Sequence, residues 1–111
     1  MTQYLAELYS PKPDWLALSA EQRQTYFAQI AEGMPALIDL GVEVLAMGET
    51  EPALYGAPQQ FFAIWRLPNA AVRDLLLAAI AETGWHAYFD TINAAGQAVD
   101  FPTHLMQLNA A

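Results

Sequence analysis

Asn69-Ala-Ala-Val-Arg-Asp-Leu-Leu-Leu-Ala-Ala-Ile-Ala-Glu-Thr-Gly-Trp-His-Ala-Tyr-Phe89 carries one complete helix with its start and stop written in. Asn69 is a good N-cap, because its side chain can accept a bond from an unpaired amide of the first turn. Val72, Leu75, Leu76, Ala79 and Ile80 recur at helical spacing and make one broad apolar face. Gly84 can adopt the left-handed conformation that closes a last turn. Trp85, His86, Tyr88 and Phe89 follow at once as the densest aromatic cluster in the chain.

Outward from this helix, the flanking segments read as strands. Gln60 to Leu67, just before it, alternates Phe61, Ala63, Trp65 and Leu67 with Phe62, Ile64 and Arg66. Both faces are apolar, so this strand is expected at the centre of a sheet. Tyr4 to Tyr9 has the same character, with only Glu7 in need of a polar partner or water. Val42 to Met47 is a further strand, and Gly48 to Pro58 a loop. Ser19 opens an earlier helix, with Gln22 three residues on as in a capping box. Its apolar spacing runs from Tyr26 to Ile38 and ends at Gly41. The register carries through Pro35, which predicts a kinked helix or two end-on helices. Trp15 anchors the Pro11–Leu18 loop. After the aromatic cluster, Thr91 to Asn93 reads as a short strand or the tail of that cluster. Asn93 to Gly96 reads as a turn, and Ala98 to Leu108 as a last, edge strand interrupted at Pro102.

The order β-α-β-β-α-β over residues 1–111 predicts a single ferredoxin-like α+β domain. It is a split βαβ with a four-stranded antiparallel sheet in order 4-1-3-2 and two helices on one face. The opposite face is then apolar and uncovered, which predicts a homodimer closed through it.

Composition narrows the functions. The chain has 111 residues, a net charge of −8 and only four basic residues, Lys12, Arg23, Arg66 and Arg73. Four dispersed cations cannot neutralise a run of phosphates, so no nucleic-acid partner is expected. The same charge repels an anionic membrane surface. With no cysteine, thiolate catalysis and thiolate metal sites are excluded. No run approaches the roughly 20 apolar residues that span a bilayer. Nor is there a signal-peptide pattern, so a cytoplasmic location is the expectation.

The chemistry-bearing candidates are few. Ser10 and Ser19 lie in no nucleophile motif, Lys12 sits between prolines, and no Gly-rich phosphate loop exists. His86 and His104 titrate nearest neutrality. His86, beside Trp85 and Tyr88, is the better acid–base candidate. Its plainer role is a cation at a helix C-terminus, and His104 reads as a surface or interface residue. His86 and Asp90 are four apart, but two ligands do not make a metal site, so no metal is expected. Glu7 is the carboxylate of interest. Facing a pocket, its pKa would rise and suit it to act as a base. The commoner arrangement is a salt bridge to Arg66. Tyr9, Trp65, Arg66, Trp85 and Tyr88 are the remaining candidates to line an apolar pocket, though the aromatic rings serve equally as core.

Phe61-Phe62-Ala63-Ile64-Trp65-Arg66, Gly84-Trp85 followed by Tyr88-Phe89, and Gly41-Val42-Glu43-Val44-Leu45 together resemble the dimeric α+β barrel superfamily. That superfamily includes the antibiotic-biosynthesis monooxygenases and the NIPSNAP and EthD-like proteins. The chain is most similar to a small bacterial family of unknown function within it. The resemblance implies the fold and the dimer. It leaves three functional expectations open: binding of an apolar or aromatic small molecule between sheet and helices, a cofactor-independent monooxygenase or isomerase using Glu7 and His86, and a purely structural dimer. The superfamily's haem-degrading members use an asparagine on strand one, a tryptophan on strand three and a histidine on helix two. Trp65 and His86 are loosely placed to match. Strand one has no asparagine and His86 follows the helix stop, so no cofactor is expected.

Overall fold

A computed structural model describes residues 1–111. The elements are β1 (Gln3–Pro11), α1 (Pro13–Leu16), α2 (Ala20–Asp39), β2 (Glu43–Glu49), β3 (Phe61–Leu67), α3 (Ala70–Glu82), α4 (Trp85–Tyr88), β4 (Phe89–Gln97) and α5 (Phe101–Asn109). The sheet order is β2-β3-β1-β4, all neighbours antiparallel. This is the ferredoxin-like arrangement expected from the sequence, read from its other edge.

The helix boundaries follow from local chemistry. At the start of α2, Ser19 Oγ accepts from the Gln22 amide at 3.1 Å, and Gln22 Oε1 accepts from the Ser19 amide at 2.8 Å. Two of the first turn's amides are thereby satisfied reciprocally. Asn69 Oδ1 accepts from the Val72 amide at 2.9 Å and starts α3. Gly41, at φ +96°, ends α2 where a side chain would meet the Pro68 ring at 3.1 Å. Gly84, at φ +82°, ends α3. Pro35 lies inside α2, which continues as one helix from Ala20 to Asp39.

The last strand is a correction. Residues 98–108 do not form it; β4 begins at Phe89, and 101–109 are helical. Asp100 Oδ1 accepts from the Thr103 amide at 2.9 Å, and Pro102 occupies the first turn, where its missing amide costs nothing. The Asn93–Gly96 stretch does not turn, because β1 is long enough to pair with it as far as Tyr4 opposite Gly96. The Pro11–Leu18 loop contains the short helix α1, which buries Trp15.

Alternation divides β1 cleanly. Gln3, Leu5 and Glu7 face the helices and are buried; Tyr4, Ala6 and Leu8 face away and are half-buried. Leu5, Trp65 and Leu67 meet Val72 and Leu76 of α3 and Val42 in the principal core. Trp15, Tyr26 and Phe89 form a second cluster at one end. Of the twenty residues of α2, only Tyr26 is buried. The radius of gyration is 15.9 Å, against about 13 Å for a tightly packed domain of this length. The looseness is local: α2 stands off the sheet and α5 extends from it with no buried residue.

Candidate functional site

The gap between α2 and the sheet is a cavity of about 590 Å³, and 14 of its 19 lining residues are hydrophobic. Its floor is the inward face of β1 and β3, where Glu7, Tyr9, Ala63 and Trp65 point up. Its roof is the middle of α2, including Phe27, Ile30 and Met34, and its far wall is α3 with Leu76 and Ala79.

Glu7 sits in this floor at 3% exposure. Trp65 Nε1 donates to Glu7 Oε1 at 2.7 Å, and this is the only hydrogen bond the carboxyl receives from a protein side chain. Burial pushes the Glu7 carboxyl above its usual range, an effect the tryptophan bond partly opposes. Tyr9 is also raised, first by burial and then by the charge of Glu7. The Tyr9 ring meets Trp85 edge-on at 5.0 Å between centroids. Trp85 in turn stacks on Phe89 at 4.1 Å and donates from Nε1 to Thr91 Oγ1 at 3.0 Å. These contacts hold both rings at the cavity's edge.

Four of the residues expected at a pocket, Glu7, Tyr9, Trp65 and Trp85, line this one. The other three do not. Arg66 follows Trp65 on an alternating strand and so points to the opposite face, where it pairs with Glu43 of β2. The expected Glu7–Arg66 salt bridge is therefore absent. Tyr88 packs on Trp15 and Tyr26 in the second cluster. His86 is exposed on α4, one residue beyond Trp85, and does not line the cavity. Only its carbonyl is engaged, by Lys12 Nζ at 3.1 Å. His104 lies on α5, with Nδ1 3.0 Å from Gln107 Oε1.

Sequence reading missed the roof. Ile30, Met34 and Leu37 carry the same 3–4 spacing as any core helix, and nothing in the pattern marks a helix that stands off its sheet. Glu82 and Thr83, which also line the cavity, were unmarked too. Thr83 also ties down Tyr26 of the second cluster: Thr83 Oγ1 donates to the Ile80 carbonyl at 2.6 Å and so accepts from the Tyr26 hydroxyl at 3.0 Å.

The donor set limits the chemistry. No histidine lines the cavity, so it offers neither an imidazole nor a thiolate to a haem iron. No group of three or more histidine, aspartate or glutamate side chains is arranged to hold a metal ion. No helix is long and apolar enough to cross a membrane.

Against this geometry, a family model described as a family of unknown function, DUF6616, matches residues 2–111. Among solved structures, the crystal structure of a putative chlorite dismutase is similar in fold, with a TM-score of 0.61 and 18% sequence identity. The match covers 90% of this chain and 45% of that one, so this chain spans less than half its neighbour's length. No curated protein matches the chain in sequence.

Proposed function

The chain belongs to that family of unknown function, whose description assigns no activity, and from its site we propose that it binds an apolar or aromatic small molecule in the cavity between α2 and the sheet. The observation that carries this is the cavity itself, about 590 Å³ and mostly apolar. That volume lies in the range of drug-sized ligand sites, where a few polar groups set orientation within apolar walls. Glu7 and Tyr9 are such groups.

Thermal shift with a panel of neutral, cationic and anionic aromatic compounds tests it, since a ligand that prefers the native state raises Tm. At least one compound should raise Tm in the parent protein and not in Ala79→Phe, which fills the cavity from its wall. A panel with no shift, or equal shifts in the variant, removes the proposal.

A second reading, proton transfer without a cofactor, is favoured by one observation. Glu7 is a carboxyl held out of water and oriented by Trp65, the condition in which a base is tuned toward neutral pH. A Glu7→Gln variant that turns over aromatic carbon acids at the parental rate would end this reading. The exposed His86 takes no part in it.

The face of the sheet away from the helices supports a homodimer. Tyr4, Ala6, Leu8, Phe62 and Ile64 are only half-buried there, and Ile92 is exposed. A shallow groove of about 320 Å³ runs across it. A second copy presents the same surface and closes the pair by a twofold axis.

A further inference from the structure

Glu7 has no counter-charge anywhere in the chain. The residue is 3% exposed and its one side-chain partner is the neutral indole of Trp65. None of the 19 residues around the cavity is lysine, arginine or histidine. The four basic side chains are committed elsewhere. Lys12 binds the His86 carbonyl. Arg23 binds the Trp15 carbonyl at 3.1 Å and lies over the Trp15 ring. Arg66 pairs with Glu43 on the opposite face. Arg73 binds Asp74 and Gln3.

The second oxygen, Glu7 Oε2, receives no hydrogen bond from another residue. Yet no buried side-chain oxygen is sealed away without a partner, so Oε2 opens onto the cavity that Glu7 lines. An unpaired carboxylate in an apolar site is costly, and a cation beside it removes much of that cost. The rings of Tyr9, Trp65 and Trp85 line the same cavity, and the face of an aromatic ring attracts a cation. Glu82, an exposed residue of the lining, adds a second carboxylate.

We propose that the ligand is a protonated amine on an aromatic or apolar body, its ammonium seated on Glu7 among the rings of Tyr9, Trp65 and Trp85. The proposal rests on the cavity being a ligand site and adds the ligand's charge. Anionic ligands are disfavoured, since they would meet two carboxylates and no cation. The titratable groups that line the cavity with Glu7 are Tyr9 on its own strand and Glu82 from α3; β3 contributes the indole of Trp65, β2 the apolar Val44 and Met47, and α2 the neutral amide of Gln29. Binding of an ammonium therefore favours ionised Glu7, and affinity rises with pH until the amine itself loses its proton.

The test is isothermal titration of the full chain at neutral pH with three isosteric probes: tryptamine, tryptophol and indole-3-acetate. Tryptamine should bind about tenfold or more tighter than tryptophol, and indole-3-acetate weakest of all. Glu7→Gln keeps an acceptor for Trp65 and should weaken tryptamine about tenfold while leaving tryptophol within about twofold. Tryptamine binding should release protons to buffer and strengthen between about pH 5 and about pH 8, the range above an ordinary carboxylate and below an alkylamine. Far-UV circular dichroism confirms that the variant is folded. If tryptophol or indole-3-acetate binds as tightly as tryptamine, or Glu7→Gln leaves tryptamine unchanged, this proposal falls while the cavity remains a ligand site. If none of the three binds, this proposal falls together with the aromatic ligand on which it rests.

Discussion

Glu7 is the residue on which most of the site depends, and it makes the free protein sensitive to pH. Its folded pKa lies above the ordinary value of 4.5, so the native state holds this proton more tightly than the unfolded chain does. The stability contributed by protonated Glu7 is full below about pH 4.5 and is lost as pH rises through the raised value. Glu7→Gln keeps the neutral form at every pH. The variant should gain about 1 kcal/mol over the parent at pH 8 and nothing near pH 4, read from urea unfolding at both. A gain that is equal at the two pH values would show that ionisation of Glu7 is not its source. The importance of Glu7 was legible in the sequence, as the one charge on an otherwise apolar central strand. Its partner was not. Glu7 stands opposite Ala63, and Arg66 opposite Tyr4. An odd separation along β3 decides which face each side chain takes, and register is not written in either strand alone.

Among the elements, those with both a cap and a stop were the most legible. The Asn69 and Ser19 caps and the stops at Gly41 and Gly84 all lie where the residues indicate. In α3, Asn69→Ala should cost about 1 kcal/mol by leaving the Val72 amide without its acceptor. Chemical denaturation measures this, and an unchanged midpoint would mean that water replaces the cap at no cost. The C-terminal segment was misread because two signals compete in it. Val99, Phe101, Leu105 and Met106 suit a strand, and Pro102 fits an interrupted edge. Asp100-Phe-Pro-Thr is equally a helix start, and the place beside β1 expected for 98–108 is taken by β4, which pairs with all nine residues of β1. The strand at 89–97 was obscured by its own composition. Asn93-Ala-Ala-Gly96 has turn residues and little β preference, and it is extended because β1 supplies the partners.

At the scale of the whole molecule, the topology was legible because strand order follows from connection length, handedness and which strands are apolar on both sides. The cavity was not, since no periodicity encodes how far a helix sits from its sheet. The uncovered sheet face bears on assembly. A stable interface needs about 800 Å² from each partner, and α5 and the outward side chains of β1, β3 and β4 are the apolar surface available. Sedimentation equilibrium at micromolar concentration should return twice the 12.2 kDa chain mass. Phe62→Glu, on the outward face, should return the single-chain mass. A parent protein at 12.2 kDa with no concentration dependence would remove the dimer.

The Tyr26–Thr83 hydrogen bond ties α2 to the end of α3. Helix α2 is about 30 Å long at 1.5 Å per residue. It is held near its start by Trp15 and the Tyr26 hydroxyl, and near its end by Leu37 against the core. Its middle roofs the cavity and contains Gly33 and Pro35, neither of which stiffens a helix. An opening of α2 over a bound molecule would break the Tyr26–Thr83 bond and draw Ile30 and Met34 off the clusters they pack against. Tyr26→Phe keeps the ring and removes the bond. In stopped-flow mixing with tryptamine, entry and exit should both accelerate severalfold at unchanged Kd, since the bond opposes opening in both directions. A change in the exit rate alone would mean that Tyr26 contributes to holding the ligand and not to gating it.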